Sequence, residues 1–156
     1  MLTHAEIALR IPHQGRMCLL DLVIEWDGQR IHCQATSHRD ADNPLRAHGR
    51  LGIACGVEYA AQAMAVHGML LAEAEGKTPS APRIGYLAGV RSVSLHASRL
   101  DDVKEDLTIR AERVMGDGGG VVYQFEITAG ARKLLNGRAI VILNAASAIP
   151  VLGGAS

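Results

Sequence analysis

The sequence predicts an α+β fold in which one curved antiparallel sheet wraps around a single long helix. Three observations carry this. An apolar segment from about Ile53 to Glu75 is rich in Ala, Met and Leu, all strong helix formers. Strand-like runs flank it, two before and four after, with the cleanest alternation over Val121 to Thr128. No internal repeat interrupts the chain, and 156 residues suit one domain. That domain is set at residues 1–149, with a flexible C-terminal tail over 150–156.

The elements follow in chain order. Thr3 to Leu9 is a short helix, because Thr3 and Glu6 have capping-box spacing. Residues 11–16 hold a proline and a glycine and read as a loop. Leu19 to Trp26 is a strand, Asp27-Gly28 a turn, and Arg30 to Thr36 a second strand. In that second strand Ile31, Cys33 and Ala35 share one face. Ser37 to Gly52 is polar and irregular, the kind of long loop that carries function. The helix follows and stops at Gly76, and 77–82 is a Pro/Ser linker. Strands then cover Ile84 to Leu95, Leu107 to Met115, Val121 to Thr128 and Arg132 to Leu143. Asp117 to Gly120 is a hairpin turn, and Gly137 is read as a bulge in the last strand.

Composition excludes several functions. Lys plus Arg equals Asp plus Glu at 16 each, so there is no basic nucleic-acid footprint. Aromatics are 3%, too few for base-stacking platforms. Charged residues along the apolar helix argue against a membrane span, and the first ten residues lack the apolar core of a secretory signal. Cys18, Cys33 and Cys55 form no CxxC, and no HxH or HExxH occurs, so no metal site is expected. Three reduced cysteines acting as small core residues suit a cytoplasmic protein.

The helix offers the first chemistry. Apolar side chains on nearly every face predict burial all round, broken by Glu58, Gln62 and His67. Glu58 and Gln62 stand four apart on one face. A buried carboxylate is costly unless partnered or neutral, so Glu58 is expected to have a use.

Several stretches together resemble the 3-hydroxyacyl-acyl-carrier-protein dehydratases. Ile11-Pro12-His13-Gln14-Gly15-Arg16-Met17-Cys18-Leu19-Leu20-Asp21 resembles their L-P-H-R-x-P-x-L-L-(V/L)-D opening, and Asn43-Pro44-Leu45 their N-E-P-F-F stretch. Gly56-Val57-Glu58-Tyr59-Ala60-Ala61-Gln62 is similar to their helix start. It comes nearest to the G-I-E-x-M-A-Q form of the branch associated with aryl polyene pigment biosynthesis. The resemblance spans residue 11 to about 144. It implies a hot-dog fold and pairing as a homodimer, a heterodimer with a related hot-dog protein, or a higher oligomer. It also departs from the family. Where the dehydratases carry G-H-F-P-G-x-P-x-x-P-G, the segment Ala47 to Gly56 is shorter and lacks the inner prolines. His48 falls near the family histidine counted from Pro44, but not counted from Glu58.

The implied reaction is loss of water from a 3-hydroxyacyl thioester, in fatty acid or polyene synthesis. The substrate rides on the phosphopantetheine of an acyl carrier protein, with no other cofactor. The reaction needs a base near the α-carbon, an acid near the β-hydroxyl and donors for the thioester oxygen. Histidine suits the base because it titrates near neutrality, and His48 and His38 are the loop candidates. A glutamate serves as acid where burial raises its pKa, and Glu58 in its apolar helix is placed for that. Gly56 and Val57 are the candidate backbone donors at the helix N-terminus, with Gly56 small enough for close substrate approach. Gln62 is the candidate orienting group. Arg91 is a candidate partner for Glu58 or for the phosphopantetheine arm. His67 is read as a core or interface residue. Arg10, Arg16, Arg46 and Arg50 form a candidate docking patch for an acidic carrier. Two alternatives stay open: an acyl thioesterase of the same fold, and a non-catalytic partner of an active dehydratase.

Overall fold

The structure, a computed structural model, describes residues 1–12, 15–76, 86–116 and 120–142. His13, the 77–82 linker, the start of the strand at Ile84, most of the Asp117–Gly120 turn, Leu143 and the 150–156 tail lie outside the described residues.

β1 (Leu2–Thr3) leads into α1 (His4–Ala8). The capping box forms as expected: Glu6 Oε2 accepts the Thr3 N–H at 2.8 Å, and Thr3 Oγ1 accepts the Glu6 N–H at 3.4 Å. β2 (Leu22–Trp26) and β3 (Arg30–Ala35) make the first hairpin. Its turn is held by Asp27 Oδ1, which accepts the Gln29 and Arg30 N–H groups at 2.8 and 2.9 Å. α2 (Gly56–Ala74) is the central helix, entered through a 3₁₀ turn over Ile53–Cys55. It ends before Gly76, whose φ of 74° suits glycine. β4 (Tyr86–Leu95), β5 (Leu107–Gly116), β6 (Gly120–Ala129) and β7 (Arg132–Ile142) complete the sheet. Among the described residues it has seven strands, all pairing antiparallel, in the order β1-β2-β3-β5-β6-β7-β4.

The alternation read from sequence is the alternation that packs. Ile31, Cys33 and Ala35 of β3 are buried, as are Val121, Tyr123, Phe125 and Ile127 of β6. They face Tyr59, Ala60, Ala63, Met64, Val66 and Leu70 of α2, which together form one buried stripe. One detail differs in β7. Ile127 pairs with Leu135 but Thr128 pairs with Lys133, so the bulge sits at Leu134, not Gly137. The extra residue lets Leu134 and Leu135 both go inward, each fully buried. Gly137 stays in regular register with Phe125 and serves close packing instead. A Cβ there would meet Val93 Cγ2 at 3.0 Å, Phe125 Cζ at 3.1 Å and Val93 Cα at 3.2 Å.

Candidate active site

The burial pattern of α2 overturns the expectation of a helix enclosed on every face. Its stripe against the sheet is covered, but Val57, Ala61, Ala65, Gly68 and Ala72 are only half-buried, and Glu58 is exposed on the first turn. The small apolar residues that suggested full burial line a second face, which one chain does not cover. Glu58 sits at the start of that face. The nearby Cys55 thiol is pushed up by its burial first and by the Glu58 charge second.

The helix start is packed rather than open. A Cβ on Gly56 would lie 2.6 Å from Leu135 Cδ2 and 3.3 Å from Ile127 Cδ1. Gly56 therefore seats the helix against β6 and β7, and its missing side chain leaves no room for substrate. Its N–H also bonds back to Ile53 O through the 3₁₀ turn. Val57 is half-buried one residue on. In the preceding turn the Ile53 amide donates to Ser98 O at 3.2 Å and the Cys55 amide to Gly52 O at 3.0 Å. The Ala54 amide is left without a partner among the described residues, and Ala54 is exposed. The Gly56 N–H is thus spent within the 3₁₀ turn, while the Ala54 N–H ahead of it is free among the described residues.

Gln62 is buried, and its amide is fully used. Oε1 accepts the Leu19 N–H at 2.8 Å, and Nε2 donates to Met17 O at 2.7 Å. It staples the Met17–Leu19 segment to the helix. Asp21 has a comparable duty: Oδ2 accepts the N–H and hydroxyl of Thr36 at 2.6 and 2.9 Å, closing the end of β3.

The histidines separate. His38 has no exposed surface; Nε2 donates to Val103 O at 3.0 Å, and Nδ1 is buried without a partner among the described residues. Burial holds its pKa below the usual histidine value. His38 is therefore packed in the core of this chain. His48 is exposed at the tip of a two-residue hairpin closed by Ala47 N–H to Arg50 O at 2.9 Å and Arg50 N–H to Ala47 O at 3.2 Å. Its φ of 53° and Gly49's of 77° make this a type I′ turn. Among the described residues no hydrogen bond or ion pair joins His48 to Glu58. His67 is the core residue its position suggested. Nε2 lies 2.8 Å from Asp27 O and must donate to that carbonyl, so Nδ1 accepts the Tyr123 hydroxyl at 2.7 Å.

Arg91 also departs from expectation. It pairs directly opposite Arg138, which lies exposed between buried Gly137 and Ala139. Opposed residues share a face, so Arg91 is on the side of the sheet away from α2 and does not meet Glu58 within the chain. The docking patch is largely neutralised. Arg10 pairs with Glu73 at 3.1 Å, Arg16 with Asp42 at 3.1 Å, and Arg46 with Asp40 O and Asp101. Of those four arginines, Arg50 alone has no side-chain partner among the described residues.

Sequence reading missed the polar cluster that shapes the loop beside the helix. The Ser37 hydroxyl donates to Leu19 O at 2.7 Å and accepts from the Tyr59 hydroxyl at 2.8 Å. Asn43 Nδ2 donates to Ser37 O at 2.8 Å and to the Tyr59 hydroxyl at 3.1 Å, while its Oδ1 accepts the Leu45 N–H. The signal was the Asn43-Pro44 pair, since asparagine bonds its own turn. Among the described residues no cluster of His, Cys, Asp or Glu is placed to hold a metal, and no helix is long and apolar enough to cross a membrane.

Compared with protein families, residues 5–149 match the ApeP-like family, described as ApeP dehydratase. The chain belongs to the ApeP-like dehydratase family. Among solved structures, this ApeP-like chain is similar to the dehydratase heterocomplex ApeI:P from Xenorhabdus doucetiae. The TM-score is 0.80 at 24% identity, over 97% of this chain and 98% of that one. A thioesterase from Haemophilus influenzae matches with a TM-score of 0.62 at 12% identity, over 91% of this chain and 90% of that one. Zebra fish thioesterase superfamily member 2 matches at 0.60 and 13%, over 92% and 100%. At such identities the likeness speaks for the hot-dog fold alone. No curated protein matches the sequence.

Proposed function

We propose that this ApeP-like dehydratase acts on a 3-hydroxyacyl thioester presented by an acyl carrier protein, in fatty acid or polyene synthesis. It would work in the cytoplasm as one half of a dimer with a related hot-dog protein. The observation that carries this is Glu58, exposed on the first turn of α2 where the uncovered small-residue face begins. A second chain on that face would enclose the carboxylate and dry the site, and the solved relative is itself a heterocomplex of dehydratases. Three unpaired cysteines fit a reducing compartment.

The elimination moves the α-proton to a base and a proton to the departing β-hydroxyl, which leaves as water; the product is the 2-enoyl thioester. Glu58 is the proton-transfer group of this chain. The Ala54 amide, one turn ahead of Glu58, is the donor for the thioester oxygen. His38 is withdrawn into the core, so His48 is the remaining histidine candidate here, and the second group otherwise belongs to the other subunit. Gln62 acts as a positioning residue through the Met17–Leu19 segment.

The test incubates the chain, alone and with a related hot-dog dehydratase, with a 3-hydroxyacyl carrier thioester and follows it by mass spectrometry. Loss of water that is weak alone and restored on mixing is expected. Release of free acid would instead establish a thioesterase. Glu58→Gln is expected to lower turnover by at least about a hundredfold; full retention would remove Glu58 from the chemistry.

A further inference from the structure

β4 is a ten-residue strand at the edge of the sheet, with one side of its backbone unpaired among the described residues. Its Val90 and Leu95, opposite buried Ala139 and Leu135 on the inward face, are 40% and 49% exposed. A long edge with uncovered apolar residues is a template for another strand. Two irregularities mark it, one after Leu87 and one after Arg91, the second containing Ser92 at a φ of 53°. Such bulges twist an edge and re-aim its side chains.

The outer face of this edge carries an unusual charge arrangement. Arg91 and Arg138 stand directly opposite each other on β4 and β7. The same row continues through Gln124 and Glu112 to Arg30. Carboxylates on the intervening strands are already engaged: Glu112 with Arg30 at 3.8 Å and Glu126 with Lys133 at 3.1 Å. Neither Arg91 nor Arg138 has an ion-pair partner among the described residues. Like charges directly opposite on adjacent strands are unfavourable.

Pairing with a second copy would add to this. A two-fold axis brings each residue near the strand's centre toward its own counterpart. The centre of β4 falls at Val90 and Arg91, so self-pairing would line up the arginines of both copies. A strand carrying carboxylates there would relieve the repulsion. We propose that the Arg91–Arg138 pair makes this edge select an unlike hot-dog chain with acidic residues facing it, and disfavour self-pairing. This rests on the dimer reading above and adds its charge code.

The chain can supply its own test partner. Wild type and the R91E/R138E variant are examined separately and mixed, by native mass spectrometry and sedimentation equilibrium at low salt. In an equal mixture, the mixed-dimer concentration squared over the product of the two like-dimer concentrations is expected to exceed its random-pairing value about tenfold. The enrichment is expected to fade at about 0.5 M salt, where exposed charges are screened. R91Q/R138Q is expected to self-associate more tightly than wild type. Random pairing, or no dimer in any mixture, overturns the proposal. Ala65→Arg, on the uncovered helix face, separates the two ideas. If it abolishes dimers while charge reversal leaves pairing random, the dimer stands and the charge code falls. Turnover of Glu58→Gln reports on the dehydratase reading independently.

Discussion

His67 shows how one side chain joins three elements. It sits on α2, reaches the β2–β3 turn through Asp27 O, and meets the Tyr123 hydroxyl on β6. The rings lie edge to face at 5.7 Å, and burial pushes the Tyr123 hydroxyl up to about 12. His67→Leu strands both partners and is expected to cost about 2–3 kcal/mol in urea unfolding; Tyr123→Phe, which frees only Nδ1, about 1 kcal/mol. The double variant should cost less than the sum. His48 behaves differently because its backbone is left-handed. Asparagine tolerates that region better, so His48→Asn is expected to raise stability by roughly 0.5 kcal/mol while keeping the turn. A hundredfold loss of dehydration in the folded variant would assign the imidazole to proton transfer, and activity within about threefold of wild type would assign that role to the other subunit.

At the scale of elements, glycine does unequal work. Gly76 ends a helix, and Gly56 and Gly137 let elements approach. Gly137→Ala would press a methyl group against Val93 Cα and the Phe125 ring, so β4 must shift. A loss of about 1–3 kcal/mol in chemical denaturation is expected. The strand periodicities were legible because successive side chains alternate across a sheet, and the alternating runs of β3, β5 and β6 each bury one face. The bulge was not, because Leu134 and Leu135 look alike in a string and only the pairing with Ile127 and Thr128 decides which is extra. The helix was found but its faces were not. Alanine is equally at home under a sheet and on a surface awaiting a partner.

For the whole molecule, two buried histidines set a pH dependence. Burial lowers the pKa of both His38 and His67 below the ordinary 6.5. Below that value the unfolded chain binds protons that the folded chain refuses, so stability falls as pH drops beneath about 6.5 and is unaffected above it. The slope is at most about 1.4 kcal/mol per pH unit for each histidine. Unfolding midpoints between about pH 7.5 and 5 should show it, and His67→Gln should flatten it; equal slopes in both proteins would sink the idea. Asp101, held well below the usual carboxylate range by Arg99, loses its contribution only in stronger acid.

Local chemistry alone was enough for the capping box at Thr3, the Asp27-Gly28 turn, the strand faces, the extent of α2 and the Glu58–Gln62 signature. Each depends on neighbours close along the chain. Tertiary structure decided what those residues do. It turned Glu58 outward and spent the Gln62 amide on the Met17–Leu19 segment. It also buried His38, lifted His48 onto a turn tip and set Arg91 opposite Arg138. Direction and partner are properties of packing between segments far apart in sequence, and this chain's own packing leaves one face of α2 uncovered.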